Sequence, residues 1–191
     1  MTVAEQVLQL LRHTGALLEG HFLLTSGLHS AQYVQCARVL QYPQHAEALG
    51  QWIADGFRQT TIDAVISPAI GGIVIGQEVA RALAVRALFG ERQQGVMTLR
   101  RGLEVLPGER VLVVEDVTTT GGSVREIIHL VQERQGTVVG VGTIMDRSGG
   151  HIDFAVPQHA LVTYTIQNYT PAECLLCQQG SQPEKPGSRQ P

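Results

Sequence analysis

Lysine is almost missing from this chain. Of its 14 basic residues only Lys185 is a lysine, and the others are arginines scattered along the sequence. Nucleic-acid binders more often carry a basic stripe; here the formal net charge is −3, and that class is set aside. No apolar run reaches the roughly 20 residues of a transmembrane helix. The opening MTVAEQ lacks the basic-then-apolar order of a signal peptide. Three cysteines in 191 residues do not make a disulfide framework. The expectation is a soluble cytoplasmic protein with no membrane or nucleic-acid partner. Two common phosphate fingerprints are missing as well. There is no GxxxxGK[ST], and no GxGxxG follows a strand, since Gly140 and Gly142 fall inside a strand pattern.

What is present suits one globular domain over residues 1–178, with 43% hydrophobic and 16% charged residues in the chain. Thr2 and Glu5 are spaced as a capping box; Val3, Val7, Leu10 and Leu11 then share a helical face, and Gly15 closes the helix. Residues 20–35, GHFLLTSGLHSAQYVQ, place turn chemistry at Ser26-Gly27 between β-like runs and read as a hairpin. Pro43 suits the first turn of a second helix with Ala46, Leu49, Ile53 and Phe57 inward. From residue 64 the rhythm changes. Strands at 64–66, 85–89, 111–114, 137–145 and 161–166 alternate with helices at 73–83 and 123–135. Residues 91–102 read as polar and irregular, with 96–99 a candidate strand. Apolar strands alternating with helices predict an α/β fold with a mostly parallel sheet covered on both sides. Ligands of such sheets bind at the carboxyl ends of the strands. Thr170, Pro171 and Glu173 open a short C-terminal helix, and 179–191 has the composition of a flexible tail.

Residues 111–128 read VLVVEDVTTTGGSVREII. A buried strand ending in two acids, then a turn of hydroxyls and glycines, then a helix, is more than a connector needs. Thr118, Thr119, Thr120, Gly121, Gly122 and Ser123 gather hydroxyls, backbone N–H groups and the positive end of a helix around one point, which suits a phosphate. The glycines let the backbone come close. Glu115 and Asp116 would repel that phosphate, but they suit sugar hydroxyls or a nearby cation. The set predicts a ribose 5-phosphate. Single residues also have plainer readings: Ser123 and Glu126 are spaced as a capping box, and threonine is common in turns.

EDVTTTGGS resembles the phosphoribosyl-pyrophosphate signature of type I phosphoribosyltransferases. GHFLLTSGLHSAQYV is similar to the hood segment of the orotate phosphoribosyltransferases, SPAIGG to their pyrophosphate loop and MDRSGG to their orotate-contacting segment. YTPAECLLC and the PGSR tail are similar to one branch of that family. The resemblance covers most of the chain, in the family's order. It implies the type I phosphoribosyltransferase fold, with a hood over about 16–40, a core over about 43–166 and a C-terminal helix over about 171–178. It implies transfer of ribose 5-phosphate from phosphoribosyl pyrophosphate to N1 of orotate. The products would be orotidine 5′-monophosphate, for UMP biosynthesis, and pyrophosphate, with Mg²⁺ required and held mainly through the substrate. Carried over by position, Thr118, Thr119, Thr120, Gly121, Gly122 and Ser123 hold the 5′-phosphate, with Val117 beside them. Glu115 and Asp116 bind the ribose hydroxyls. Ala69, Ile70, Gly71 and Gly72 meet the pyrophosphate, and Thr119 and Arg147 contact orotate. Arg92 reaches the pyrophosphate from a mobile loop, 91–101, usually shared across a homodimer interface. A guanidinium pairs with a carboxylate through two hydrogen bonds, so Arg147 favours orotate over a purine, xanthine or uracil. A non-catalytic regulator that senses the donor and binds nucleic acid is the alternative of another class; the missing basic face argues against it.

The chain departs from the family pattern in its lysines. Thr25, Gly71 and Gln93 stand where many members carry one, and neither lysine nor histidine lies between Glu91 and Arg101. Arg100 and Arg101 are candidate catalytic substitutes, because an arginine also brings charge to pyrophosphate; they equally suit a solvated hairpin edge. Tyr33 falls where members often place an aromatic near the base. Cys174 and Cys177 form a single CxxC, which with His159 or Cys36 nearby would make a zinc site. Without a second pair that signal is weak, and no protein-held metal is expected. His21 and His29 flank the hood turn and receive no role.

Overall fold

The capping box at the start of the chain forms as its spacing predicts. In α1 (Val3–His13) the Glu5 N–H donates to Thr2 Oγ1 at 3.2 Å, and the Thr2 N–H donates to Glu5 Oε2 at 2.8 Å. These elements come from a computed structural model that describes residues 1–24 and 26–186. Thr25 and all of the PGSR segment except Pro186 therefore lie outside the described residues. Strands β1 (Leu17–Leu23) and β2 (His29–Val34) pair antiparallel as the expected hairpin. A single helical turn, α2 (Ala37–Leu40), follows, and then α3 (Pro43–Asp55) with Pro43 in its first turn.

The core begins at β3 (Ala64–Pro68), followed by α4 (Gly72–Leu83), β4 (Arg86–Gln93), β5 (Val96–Thr98), β6 (Arg110–Thr118), α5 (Gly122–Glu133), β7 (Thr137–Asp146) and β8 (Gln158–Thr163). The sheet order is β5-β4-β3-β6-β7-β8, parallel throughout except for the antiparallel β4–β5 pair. The stretch expected to be irregular between 91 and 102 is therefore partly a hairpin. The candidate strand at 96–99 pairs back onto β4, with Glu91 opposite Thr98.

Period-2 alternation explains why four consecutive apolar residues of β6 are all buried. Leu112 and Val114 face α3 and α4 with Leu49, Ile53, Ile75 and Val79. Val111 and Val113 face α5 with Ile127 and Val131. Side chains this buried cost about 2–5 kcal/mol each when cut to alanine, so the central strand is firmly held. The two glycines inside β7 belong to the same packing. A Cβ on Gly140 would lie 2.5 Å from the Phe57 ring, and one on Gly142 would lie 2.6 Å from Ile53. α3 approaches β7 as closely as it does because neither position carries a side chain.

The chain leaves β3 towards β4 on one side and returns to β6 on the other. Such a reversal opens a crevice at the carboxyl ends of the strands. Opposite it sits the hood, a three-stranded sheet in the order β1-β2-β9, where β9 (Asn168–Tyr169) pairs with β2. The last helix is a single turn, α6 (Leu175–Gln178). Residues expected to begin a loose tail are docked instead. Ser181 donates its N–H to the Leu176 carbonyl at 3.0 Å, and Glu184 bridges β1 through His21 O at 2.7 Å and Leu23 N at 2.8 Å. No described helix is long and apolar enough to cross a membrane.

Candidate active site

The crevice brings together two loops more than 40 positions apart in sequence. A Cβ on Gly71 would lie 2.8 Å from Asp116 Oδ2, and one on Gly72 would lie 3.1 Å from Glu115 Oε1. The backbone of Ala69, Ile70, Gly71 and Gly72 thus lies directly against the acid pair, with the Ala69–Ile70 peptide cis. Where many family members carry a lysine, Gly71 leaves no room for one without a shift. Ile70 is 84% exposed at the mouth.

Glu115 is buried, and its Oε1 accepts from the Asp116 N–H at 3.1 Å. Asp116 in turn accepts the Val117 N–H at 2.8 Å. Burial pushes the Asp116 carboxyl above the ordinary aspartate range, only partly offset by its hydrogen bonds, the one with Glu115 first. Two adjacent acids held in this way are costly to the fold, which is a mark of a functional position rather than a structural one.

The turn after β6 starts α5 without a side-chain cap. The N-cap is Gly121 at φ 76°, a left-handed conformation that suits glycine, and a Cβ there would meet the Phe154 ring at 2.8 Å. The capping box expected from Ser123 and Glu126 does not form, because the N-cap is Gly121, two residues earlier, and Ser123 falls inside the first turn. Glu126 is used otherwise: its Oε1 accepts from Arg92 Nη2 at 2.9 Å, and the same nitrogen lies 3.4 Å from Ser123 Oγ. Arg92, Thr118, Thr119, Thr120, Gly121, Gly122 and Ser123 line one recess of about 160 Å³, with Glu115 and Val117 at its side. First-turn N–H groups, three threonines and an arginine around a small polar hollow suit a phosphate.

Arg147 follows β7 and is tied to the cradle by its N–H, which donates to the Thr118 carbonyl at 2.8 Å. Its Nε is buried and has no hydrogen-bond partner among the described residues. Burial lowers its pKa, and the nearby Tyr33 opposes that shift. Burial raises the Tyr33 hydroxyl, with Asp116 adding to the effect and Arg147 opposing it. The charges of Asp116 and Arg147 thus both act on Tyr33 of the hood. Sequence reasoning missed Asp146. Its carboxylate accepts from the Ser148 and Gly150 N–H groups at 2.7 and 2.9 Å and faces Thr118 Oγ1 at 3.5 Å, fixing the loop that carries Arg147. The aspartate inside MDRSGG was the available signal.

Arg100 and Arg101 are not brought to the cradle. Arg101 Nε and Nη2 reach Glu91 at 3.1 and 3.2 Å, and Arg100 Nη1 lies 3.6 Å from the same carboxylate. They brace the β4–β5 hairpin, as the edge reading of these residues describes.

Residues 36–154 match the phosphoribosyl transferase domain. The chain is 54% identical over 185 residues to an orotate phosphoribosyltransferase of Caldanaerobacter subterraneus subsp. tengcongensis, covering 97% of each. It is 51% identical over 181 residues to that of Thermotoga maritima, covering 95% of this chain and 97% of the relative. Among solved structures, the Mycobacterium tuberculosis orotate phosphoribosyltransferase in complex with Fe(III) dicitrate superposes with a TM-score of 0.70. That similarity has 22% identity and covers 84% of this chain and 96% of the other.

Proposed function

This chain belongs to the orotate phosphoribosyltransferase family and is a transferase that moves ribose 5-phosphate from phosphoribosyl pyrophosphate to orotate, and we propose the following division of work among its residues. The uncapped start of α5, with Thr118, Thr119, Thr120, Gly121, Gly122 and Ser123, holds the 5′-phosphate. Glu115 and Asp116 accept hydrogen bonds from the ribose hydroxyls. The 69–72 backbone and Arg92 receive the pyrophosphate. Arg147 pairs with the orotate carboxylate, with Thr119 and Tyr33 at the edges of the base.

Displacement at the anomeric carbon passes through an oxocarbenium-like state, as in glycoside cleavage. The leaving pyrophosphate gathers charge, and fixed donors aimed at that charge lower the barrier without covalent chemistry. Here those donors are the N–H groups of the 70–72 segment, since the Ala69 N–H already donates to the Gly90 carbonyl, and Arg92 joins them when it leaves Glu126. Arg100 and Arg101 join them only if the hairpin swings from its Glu91 anchor. The hood limits water at the reacting carbon.

Mg²⁺ fits this site. Its oxygen-only surroundings of Glu115, Asp116 and threonine hydroxyls suit a hard cation, and such ions are commonly held through substrate phosphates with few protein ligands. Once bound it offsets charge on the pyrophosphate. A homodimer that shares the 91–101 hairpin belongs to the same proposal; it is supported by Val96, left 68% exposed on β5. So does a cytoplasmic location, which free thiols at Cys36, Cys174 and Cys177 suit.

The observation that carries the choice of base is the buried, unpartnered Nε of Arg147. A buried guanidinium donor without an acceptor is costly, and the orotate carboxylate supplies one. Arg147→Ala is expected to raise the orotate KM about 10- to 100-fold, the scale of a lost charge-assisted hydrogen bond, while the KM for the sugar donor changes little. Unaltered orotate kinetics would remove Arg147 from the base site.

A further inference from the structure

Four metal-ligating side chains meet in the hood, none of them among the candidate active-site residues. His21 comes from β1, His29 from β2, and Cys174 and Cys177 from the C-terminal segment, more than 140 positions away. One ligand atom from each lies within 4.8 Å of all the others. His21 Nε2 is 2.9 Å from His29 Nδ1 and 3.4 and 3.7 Å from the sulfurs of Cys174 and Cys177; Cys177 Sγ is 3.2 Å from His29 Nδ1. His21, His29 and Cys174 are buried, and Cys177 is half-buried at the rim. We propose that these four residues bind one structural zinc ion that fastens the C-terminal segment to the hood.

The distances suit that ion. With Zn–S near 2.3 Å and Zn–N near 2.0–2.1 Å, a tetrahedron has N–N, N–S and S–S edges of roughly 3.3, 3.5 and 3.8 Å. The four spacings given above need shifts of only a few tenths of an ångström to meet them, and the other two lie within 4.8 Å. The donor set is two thiols and two imidazoles, the borderline-soft combination that selects zinc over magnesium or calcium. Four protein ligands leave no open position, which marks a structural rather than a catalytic centre. The outer shell is also present. His21 Nδ1 lies 3.1 Å from the Ser181 carbonyl, so that nitrogen carries the proton and Nε2 offers its lone pair inward.

The single CxxC looked weak because its partners could not be found by spacing. Neither of the residues considered beside it takes part. His159 packs against the Phe57 ring at 6.1 Å between centroids, and Cys36 is buried near the acid pair, with its thiol pKa pushed well up by burial. The hood has only three strands, one of them two residues long, and small sheets of this kind gain most from a staple. β2 also carries Tyr33 and Gln32, whose Oε1 accepts from the Tyr164 hydroxyl at 3.3 Å. The ion would therefore fix the strand whose Tyr33 feels the charge of Arg147. Binding converts two thiols to thiolates and releases two protons to solvent, with no change of oxidation state.

The test is metal content and Co²⁺ spectroscopy on the full-length protein, purified without chelators or immobilised metal. About one zinc per chain is expected. Co²⁺ exchanged into the site should give the intense visible bands of a tetrahedral ion and near-ultraviolet thiolate charge transfer. Cys174→Ser should lose both signals, His159→Ala should keep both, and zinc removal from the unmodified protein should lower Tm. Substoichiometric metal together with no Co²⁺ spectrum in the unmodified protein would overturn the site, whether or not the Cys174→Ser variant folds. None of these readouts depends on turnover, so they stand apart from the assignment of the reaction.

Discussion

The two ends of β6 treat carboxylates in opposite ways. At its start Asp63 is surrounded by donors: Arg110 N, Nε and Nη2 all reach its oxygens, at 2.9, 3.0 and 2.9 Å. These bonds hold its pKa down at about 2, the side-chain hydrogen bond from Arg110 counting most. At the other end burial holds Asp116 up, beside a second acid. The first arrangement is complete within the chain and ties β6 to the loop before β3. The second borders the crevice, where the ribose hydroxyls are proposed to bind. Along a single strand the difference separates scaffold from site more sharply than residue type does, since both groups are aspartates.

That contrast can be broken by substitution. The largest effect is expected from Asp116→Asn on catalysis. Removing the charged acceptor for a ribose hydroxyl should lower kcat/KM about 10- to 150-fold, the equivalent of about 1.5–3 kcal/mol. A steady-state assay with saturating orotate measures it, and near-normal turnover would detach Asp116 from the sugar.

The same variant should be more stable than the parent at neutral pH. The folded pKa of Asp116 is raised, so its protonated form favours the fold at pH values below the unfolded value near 3.9, and that favour is lost as pH rises through the folded pKa. Asparagine keeps the neutral form at every pH. Thermal unfolding should show a higher Tm for Asp116→Asn at pH 7, with the gain shrinking as the pH approaches 4. A lower Tm at pH 7 would mean that the acid pair stabilises the unliganded chain, contrary to the contrast drawn here.

The smallest effect belongs to Asp63→Asn. Its pKa is depressed, so its contribution is present above the unfolded value and is lost as pH falls from about 4 towards about 2. The pair is solvent-exposed, and the expected cost is a Tm lower by about 1–2 °C at pH 7 with no change in kinetics. A loss of activity in this variant would show that the two ends are coupled.

Much of this was legible in the sequence, and the gaps have physical causes. The β6–turn–α5 unit could be read because every determinant is local: the apolar strand, the acid pair, the glycines and the helix start lie within 18 residues. Arg92 could be singled out only through the family resemblance. Its contacts with Glu126 and Ser123 span 34 and 31 positions and depend on the β4–β5 hairpin, whose polar composition hides a strand. Ser123–Glu126 had the right spacing for a capping box, but the helix is capped two residues earlier at Gly121, and Glu126 pairs with Arg92. The docked stretch ending at Glu184 could not be distinguished from a loose tail, because backbone pairing with β1 leaves little mark on composition. His21 and His29 carried no local signal at all, since their significance rests on cysteines about 150 positions away.

The account is tested most directly by measuring pyrophosphate release from phosphoribosyl pyrophosphate and Mg²⁺ with each of orotate, uracil, adenine and xanthine. It predicts turnover with orotate and little with bases that lack a carboxylate for Arg147. Equal turnover with uracil, or donor binding without turnover on any base, would contradict it.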